Sequence, residues 1–300
     1  MSTLTALIKR NMKLFFKDKG MFFTSLITPV ILLVLYAVFL GNVFENIFRS
    51  ALEGAGSMVS DSLIDGCVGG QLASSLLAVC CVTVAFCSNM LMVQDKVNGS
   101  KRDLMISPVK KSTLALGYYM ATLLSTLLVC YIATGICLLY IAKVGWYLSI
   151  ADVVCILLDV LLLVLFGTAL SSIINCFLSS QGQISAVGTI ISAGYGFLCG
   201  AYMPISQFSP GLQKVISFLP GTYGTSLLRN HTMGGAFEEM ESRGFPAKAV
   251  ESIKDSVDCN IYFFGDKVEI GMMYLILGGA VAVLLICYVL LNALRSEKER

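Results

Sequence analysis

The stretch "IADVVCILLDVLLLVLFGTALSSIINCF", Ile150 to Phe177, contains two charged side chains, Asp152 and Asp159, in an otherwise apolar or small-polar run. About 20 such residues cross a hydrocarbon core of roughly 30 Å, so this run is long enough to span a bilayer. Five further runs of this kind lie near residues 21–41, 69–93, 114–142, 183–203 and 268–294. Across its 300 residues the chain is 56% hydrophobic and 13% charged, and its mean hydropathy is +0.81. A soluble domain carries about 25% charged residues. These values predict an all-α polytopic membrane protein, a single transmembrane domain over 1–300 with six transmembrane helices. The first run is too long for a signal-peptide core and no small-x-small cleavage site follows it, so it reads as a retained span.

Lysine and arginine set the orientation. With six spans, the side that holds both termini carries 13 of the 21 basic residues and only five acids. The opposite loops carry eight basic and twelve acidic residues. The positive side is the cytoplasmic one, which puts both termini in the cytoplasm.

Most of the 11 cysteines fall inside apolar runs, where the thiol behaves as a small hydrophobe. Cys67 and Cys259 fall in outward loops, an oxidising space, and are candidates to pair. There is no CxxC or HxxxH spacing and His231 is the sole histidine, so no metal site is expected.

Residues 1–20 hold an amphipathic interface helix. Over 4–17, Leu4, Leu7, Ile8, Met12, Leu14, Phe15 and Phe16 share one broad face, and Lys9, Arg10, Lys13 and Lys17 share the other. Such a helix lies on the inner membrane surface with its basic face toward lipid phosphates or a cytoplasmic partner. The loop 94–112 opens with "QDKVNGSKRDLMISP", which packs charges around Gly99 and follows them with Leu104, Met105 and Ile106. On the outer side, Pro204, Pro210 and Pro220 cut the apolar stretch 204–230 into pieces of about ten residues. Pieces of that length read as re-entrant or interfacial helices. Residues 231–267 are polar and form a small extracytoplasmic cap.

"LSSQGQ" (178–183) superficially looks like an ATPase signature, but no GxxxxGK[ST] phosphate loop occurs in the chain. The hexamer reads as a short cytoplasmic turn. Catalysis would need a nucleophile beside a base, a carboxylate pair or a metal. His231, expected in an outer turn without an acidic neighbour, supplies none of these. Asp159 lies about 10 Å deeper than Asp152 by helix rise, and an intramembrane carboxylate must face protein or water. Its readings are a protonated acid bonded to a neighbouring Ser or Thr, or a substrate contact.

Taken together, these features resemble the membrane subunit of type-2 ATP-binding cassette exporters, over essentially the whole chain. The first motif is "QDKVNGSKRDLMISPVKKSTLALG", with Asp95, Lys96, Gly99, Asp103, Leu104, Ser107, Pro108 and Val109 at the family's positions. The second is "GAYMPISQFSPGLQKVISFLPGTYGTSLLR", similar to the family's three spaced prolines, a Tyr and a final "LR". Asp95 stands where many members have Glu. The resemblance implies that the loop after the second span is a coupling helix seated in a cleft of a cytoplasmic ATPase. Leu104, Met105 and Ile106 would form its apolar knob, with Lys101, Arg102 and Asp103 at the rim and Pro108 behind them. It also implies two membrane subunits, identical or homologous, enclosing an export path. Pro204, Pro210, Pro220 and Tyr223 would belong to the outer gate. No cofactor is expected on this chain, because ATP and Mg would sit on two copies of the partner ATPase; nucleic acid is not an expected partner. The expected location is the cytoplasmic membrane of a bacterial cell. The alternatives are a secondary transporter working alone and a membrane anchor that holds an ATPase without transporting.

Overall fold

The structure, a computed structural model, describes residues 2–52, 60–106 and 109–298. Helix α1 (Thr3–Lys17) is capped by the Ser2 hydroxyl, which accepts from the Thr5 N–H. It packs on α2 (Lys19–Leu35) and, more extensively, on α6 (Lys111–Val144). Its buried face is Leu7, Asn11 and Phe15. The sequence had placed Leu14 and Phe16 on that face too, but both are exposed, because they lie 100° to either side of Phe15.

After α2, a π-helical segment (Tyr36–Leu40) leads directly into α3 (Gly41–Leu52). The first span therefore runs on from Lys19 to Ser50, through residues expected to begin an outward loop. The cause is an apolar stripe at helical spacing: Leu40, Phe44 and Phe48 are buried, and Tyr36 stacks on Phe44 at 5.7 Å. The Tyr36 hydroxyl also donates to the Val68 carbonyl, which fixes the bend against the next helix.

That next helix, α4 (Asp61–Val97), is the central post. Of its most apolar window 94% is buried, against 17–50% for the other span-length helices. It touches α2, α3, α6, α7 (Ile150–Phe177), α8 (Gln181–Leu198) and α10 (Pro220–Ser242). Its sequence is crowded with Gly, Ala, Ser and Cys, and small side chains let helix backbones come close where the hydrophobic effect no longer drives association. Gly70 faces α10: a Cβ there would lie 2.6 Å from Met233 and 2.7 Å from the Thr232 carbonyl. Across the post, a Cβ on Gly167 of α7 would lie 3.0 Å from the Cys81 carbonyl.

Five helical segments among the described residues are long and apolar enough to cross a membrane: Lys19–Ser50, Asp61–Val97, Lys111–Val144, Ile150–Phe177 and Ile270–Leu294, the last within α12 (Ile270–Lys298). The fifth expected span, 183–203, is represented by α8, which does not meet that criterion. It is 18 residues long, opens with Gln181 and Gln183 and carries four glycines. Beyond it the prolines start helices instead of merely cutting an apolar run. Pro210 opens α9 (Pro210–Ile216) and Pro220 opens α10, the first-turn position where a missing N–H costs nothing. Helix α10 continues to Ser242, so the boundary expected at 230 falls inside it. The cap adds α11 (Ala247–Ser256) and a hairpin, β1 (Ile261–Phe263) with β2 (Asp266–Val268), in antiparallel register Ile261↔Val268.

Replacing Gly70 by Ala should lower stability by about 1–3 kcal/mol, the usual cost of overpacking. Gly135, in helix α6, has nothing within 4 Å of a built Cβ, and Gly135→Ala should be neutral or slightly stabilising. Thermal unfolding midpoints in detergent compare the two.

Candidate functional site

At one end of the bundle α1, α4 and α6 meet around a buried carboxylate. Arg10 Nη1 donates to Asp95 Oδ2 at 2.7 Å, Arg10 Nη2 to Oδ1 at 3.2 Å, and the Tyr118 hydroxyl to Oδ2 at 2.5 Å. The bonded carboxylate raises the Arg10 guanidinium above its ordinary value, against the opposing effect of partial burial. Asp95 is 5% exposed, so it is not presented to a partner. Arg10 likewise leaves the basic outer face of α1, where Lys9, Lys13 and Lys17 remain exposed.

Lys96 also turns inward. Its ammonium donates to the carbonyls of Asn175 (2.8 Å), Cys176 (3.1 Å) and Leu178 (3.1 Å). These are groups a helix C-terminus leaves without intrahelical partners, and the dipole there favours a cation. Asp95 and Lys96, expected in the ATPase contact, therefore act as joints that hold the end of α4 on α1, α6 and α7. Gly99 then adopts φ +82°, which suits glycine, and turns the chain into α5 (Ser100–Ile106).

The apolar knob expected on α5 is divided. Leu104 packs on the cluster of Leu7, Met92, Leu114 and Tyr118, whereas Met105 is 38% and Ile106 81% exposed. Arg102 and Asp103 are exposed and Lys101 is half-buried. Pro108, with Ser107, lies outside the described residues. The exposed residues of α5 are thus Arg102, Asp103, Met105 and Ile106.

An apolar groove of about 1080 Å³ runs along the bundle between α2–α3 and α8, with Cys87, Met90 and Gln94 of α4 among its lining. Asp18 and Gln181 line one end, Tyr202, Pro204 and Gln207 the other. Two of its lining hydroxyls bond within their own helices: Thr24 donates to the Gly20 carbonyl and Thr189 to the Ser185 carbonyl.

At the far end a second buried ion pair joins four pieces of chain. Arg229 Nη1 donates to Asp258 Oδ2 (3.1 Å) and Nη2 to the Gly200 carbonyl (2.6 Å). Asp258 Oδ2 also accepts from the Ile205 N–H at 2.7 Å and Oδ1 from the Ser206 N–H at 3.4 Å. Burial pushes the Asp258 carboxyl up, while Arg229 and the two N–H groups pull it back. Pro204 is buried beside this hub. The Tyr223 hydroxyl donates to the Ser217 carbonyl at 2.6 Å and closes the α9–α10 turn. Arg229 is the Arg of the "LR" that ends the second quoted motif, the one signal for this pair in the sequence.

Asp159 is fully buried, and its partners differ from the Ser or Thr expected. Oδ2 lies 2.6 Å from His231 Nδ1, and Oδ1 accepts from the Tyr274 hydroxyl at 2.6 Å. His231 sits mid-helix in α10, not in an outer turn, because Pro220 starts a helix that carries it onto α7. Cys67 and Cys259, the candidate pair, are free, buried thiols. Cys67 is inside α4, not in a loop, and burial pushes the Cys259 thiol up to about 12.

A model of the family described as ABC-2 type transporter matches residues 2–232. No curated protein matches the chain.

Breaking the Arg229–Asp258 ion pair leaves a charge in the interior, a loss of about 3–5 kcal/mol. Arg229→Met should show it as a lowered unfolding midpoint in detergent. Asp258→Asn added to Arg229→Met should restore part of the loss, and a double-mutant cycle measures the coupling.

Proposed function

Because the chain belongs to the ABC-2 type transporter family, whose members are multi-pass membrane permeases, we propose that it is the permease subunit of an exporter driven by a separate cytoplasmic ATPase. The observation that carries this reading is the ledge at the end of α4. A seven-residue helix with Ile106 81% exposed is mounted on a base braced by Lys96 and Arg10–Asp95. An exposed apolar tip on a rigid base can transmit displacement, whereas a floppy loop would absorb it. ATP and Mg would be held by two copies of the partner, which α5 and the α1 lysines meet from the membrane side.

The groove supports the second half of the reading. It is apolar and, in one chain, bounded by two walls, α2–α3 and α8. A second membrane subunit, identical or homologous, would close it into a path through the bilayer. In that arrangement α8 is the fifth of six spans, shielded by the partner and so free of the need for a strongly apolar surface. Helix α9 and the first turns of α10 re-enter from the outer side and close the path there, both termini are cytoplasmic, and the membrane is that of a bacterial cell. The buried Asp159–His231 pair is the feature that favours the other reading, an ion-coupled transporter working without an ATPase. Export from liposomes with and without the ATPase separates the two.

Ile106→Asp should reduce ATPase association by about 30-fold, the effect of losing an interface anchor worth about 2 kcal/mol, while leaving the unfolding midpoint unchanged. Leu104→Ala should instead lower the midpoint, since Leu104 packs inside. An Ile106→Asp complex that assembles and exports at the native rate overturns the proposal. Co-purification and transport assays provide the readouts.

A further inference from the structure

Between α9 and the hairpin lies an exposed aromatic cluster that the transport reading does not use. Phe218, just past α9, packs edge-on against Phe263 (5.2 Å between ring centres) and Phe264 (5.9 Å), which pack on each other at 4.9 Å. Despite these contacts Phe218 is 62% and Phe264 63% exposed, and Val215 of α9 beside them is 59% exposed. Exposed aromatics contributed by two segments some 45 residues apart in sequence mark an interaction surface, not scattered surface hydrophobes.

The backbone at the tip is unusual as well. Phe264 and Gly265 form the two-residue loop and both have positive φ, +52° and +102°. Loops of this geometry favour Asn–Gly or Asp–Gly, and a bulky side chain at positive φ is a costly outlier. The hairpin thus holds a phenyl ring outward at a position where a small polar residue would fold more easily. Departures from local preference of this kind concentrate at functional positions.

We propose that the tip of the hairpin and Phe218, just past the end of α9, form one aromatic foot that inserts into the headgroup region of the bilayer, at the end of the bundle opposite α1 and α5. Both roots of the foot are tied to membrane helices. Helix α9 stands between α8 and α10, and β2 runs into the span-length helix α12 at Ile270, six residues after Phe264. At 3.3–3.6 Å per extended residue the tip is held within about 20 Å of that helix. The hairpin's polar contacts lie on the other side: Tyr262 donates to Asp255 and Lys267 pairs with Glu251, both on α11. One side therefore faces the cap and the other carries the rings. Lys214 places its ammonium 5.9 Å from the centre of the Phe264 ring. A cation beside aromatic rings is the composition of an interfacial segment, with the rings among the upper acyl chains and the ammonium at the phosphates.

The chain has one tryptophan, Trp146, so Trp146→Tyr supplies a silent background into which Phe264→Trp introduces a single probe. Phe263→Trp, which leaves the positive-φ residue untouched, serves the same purpose if the first variant folds poorly. The full-length protein is reconstituted in phosphatidylcholine vesicles and quenched with aqueous iodide or with lipids brominated near the headgroup or near the chain end. The expected result is blue-shifted emission, protection from iodide, and stronger quenching by the shallow bromines than by the deep ones. Strong iodide quenching without lipid quenching puts the tip in water and overturns the proposal. Protection from both quenchers means that protein, such as a second copy, covers the rings, and overturns it as well.

Discussion

Close approach between helix backbones is the constraint on which this structure depends. In a bilayer, lipid tails solvate apolar side chains as well as protein does, so helices associate through dense packing and polar contacts. Helix α4 meets the requirement with a surface of Gly, Ala, Ser and Cys. Most of the other long helices rest on it, and the position of each is set by where that surface allows contact: α10 at Gly70, α7 at Cys81 and Val82 opposite Gly167. The ledge, the groove and the Arg229–Asp258 hub are all arranged around this one post.

Polar joints then fix the ends that packing alone leaves free to slide. Arg10–Asp95 with Tyr118 joins three helices, Lys96 closes the C-terminus of α7, and Arg229–Asp258 gathers α10, the cap and the chain after α8. Each is held by several bonds, as a desolvated charge requires, although Arg229 Nε makes none. In the middle of the bundle Asp159, His231 and Tyr274 connect α7, α10 and α12 in the same manner. Asn89 adds a neutral joint to Ser171 and Ser172. A few charges are thus spent on positioning, while Arg102 and Asp103 of α5 and Lys9, Lys13 and Lys17 of α1 stay exposed at that end.

The two ends of the bundle therefore do different things with apolar side chains. On α5, Leu104 is drawn inward while Met105 and Ile106 project, because successive helical residues point 100° apart. At the cap end the prolines start α9 and α10, and the second of these is long enough to carry His231 down onto Asp159. The groove joins the two ends along one side, with a mainly apolar lining.

Run length, charge asymmetry and motif spacing in the sequence determined the class of protein, the family, the amphipathic α1, and the charged loop with its glycine. Those properties are local, and bilayer thickness or helical period converts them directly into structure. Partner choice depended on tertiary structure. Nothing in the spacing said that Asp95 would face Arg10 some 85 residues away, that Lys96 would cap α7, or that His231 would meet Asp159. The second and fifth expected spans look alike as apolar runs, yet one became the buried post and the other a weakly apolar flank beside the groove. The physical reason is that a run's hydropathy measures its preference for leaving water, whereas its place in the bundle depends on which small and polar side chains come opposite one another once the helices pack.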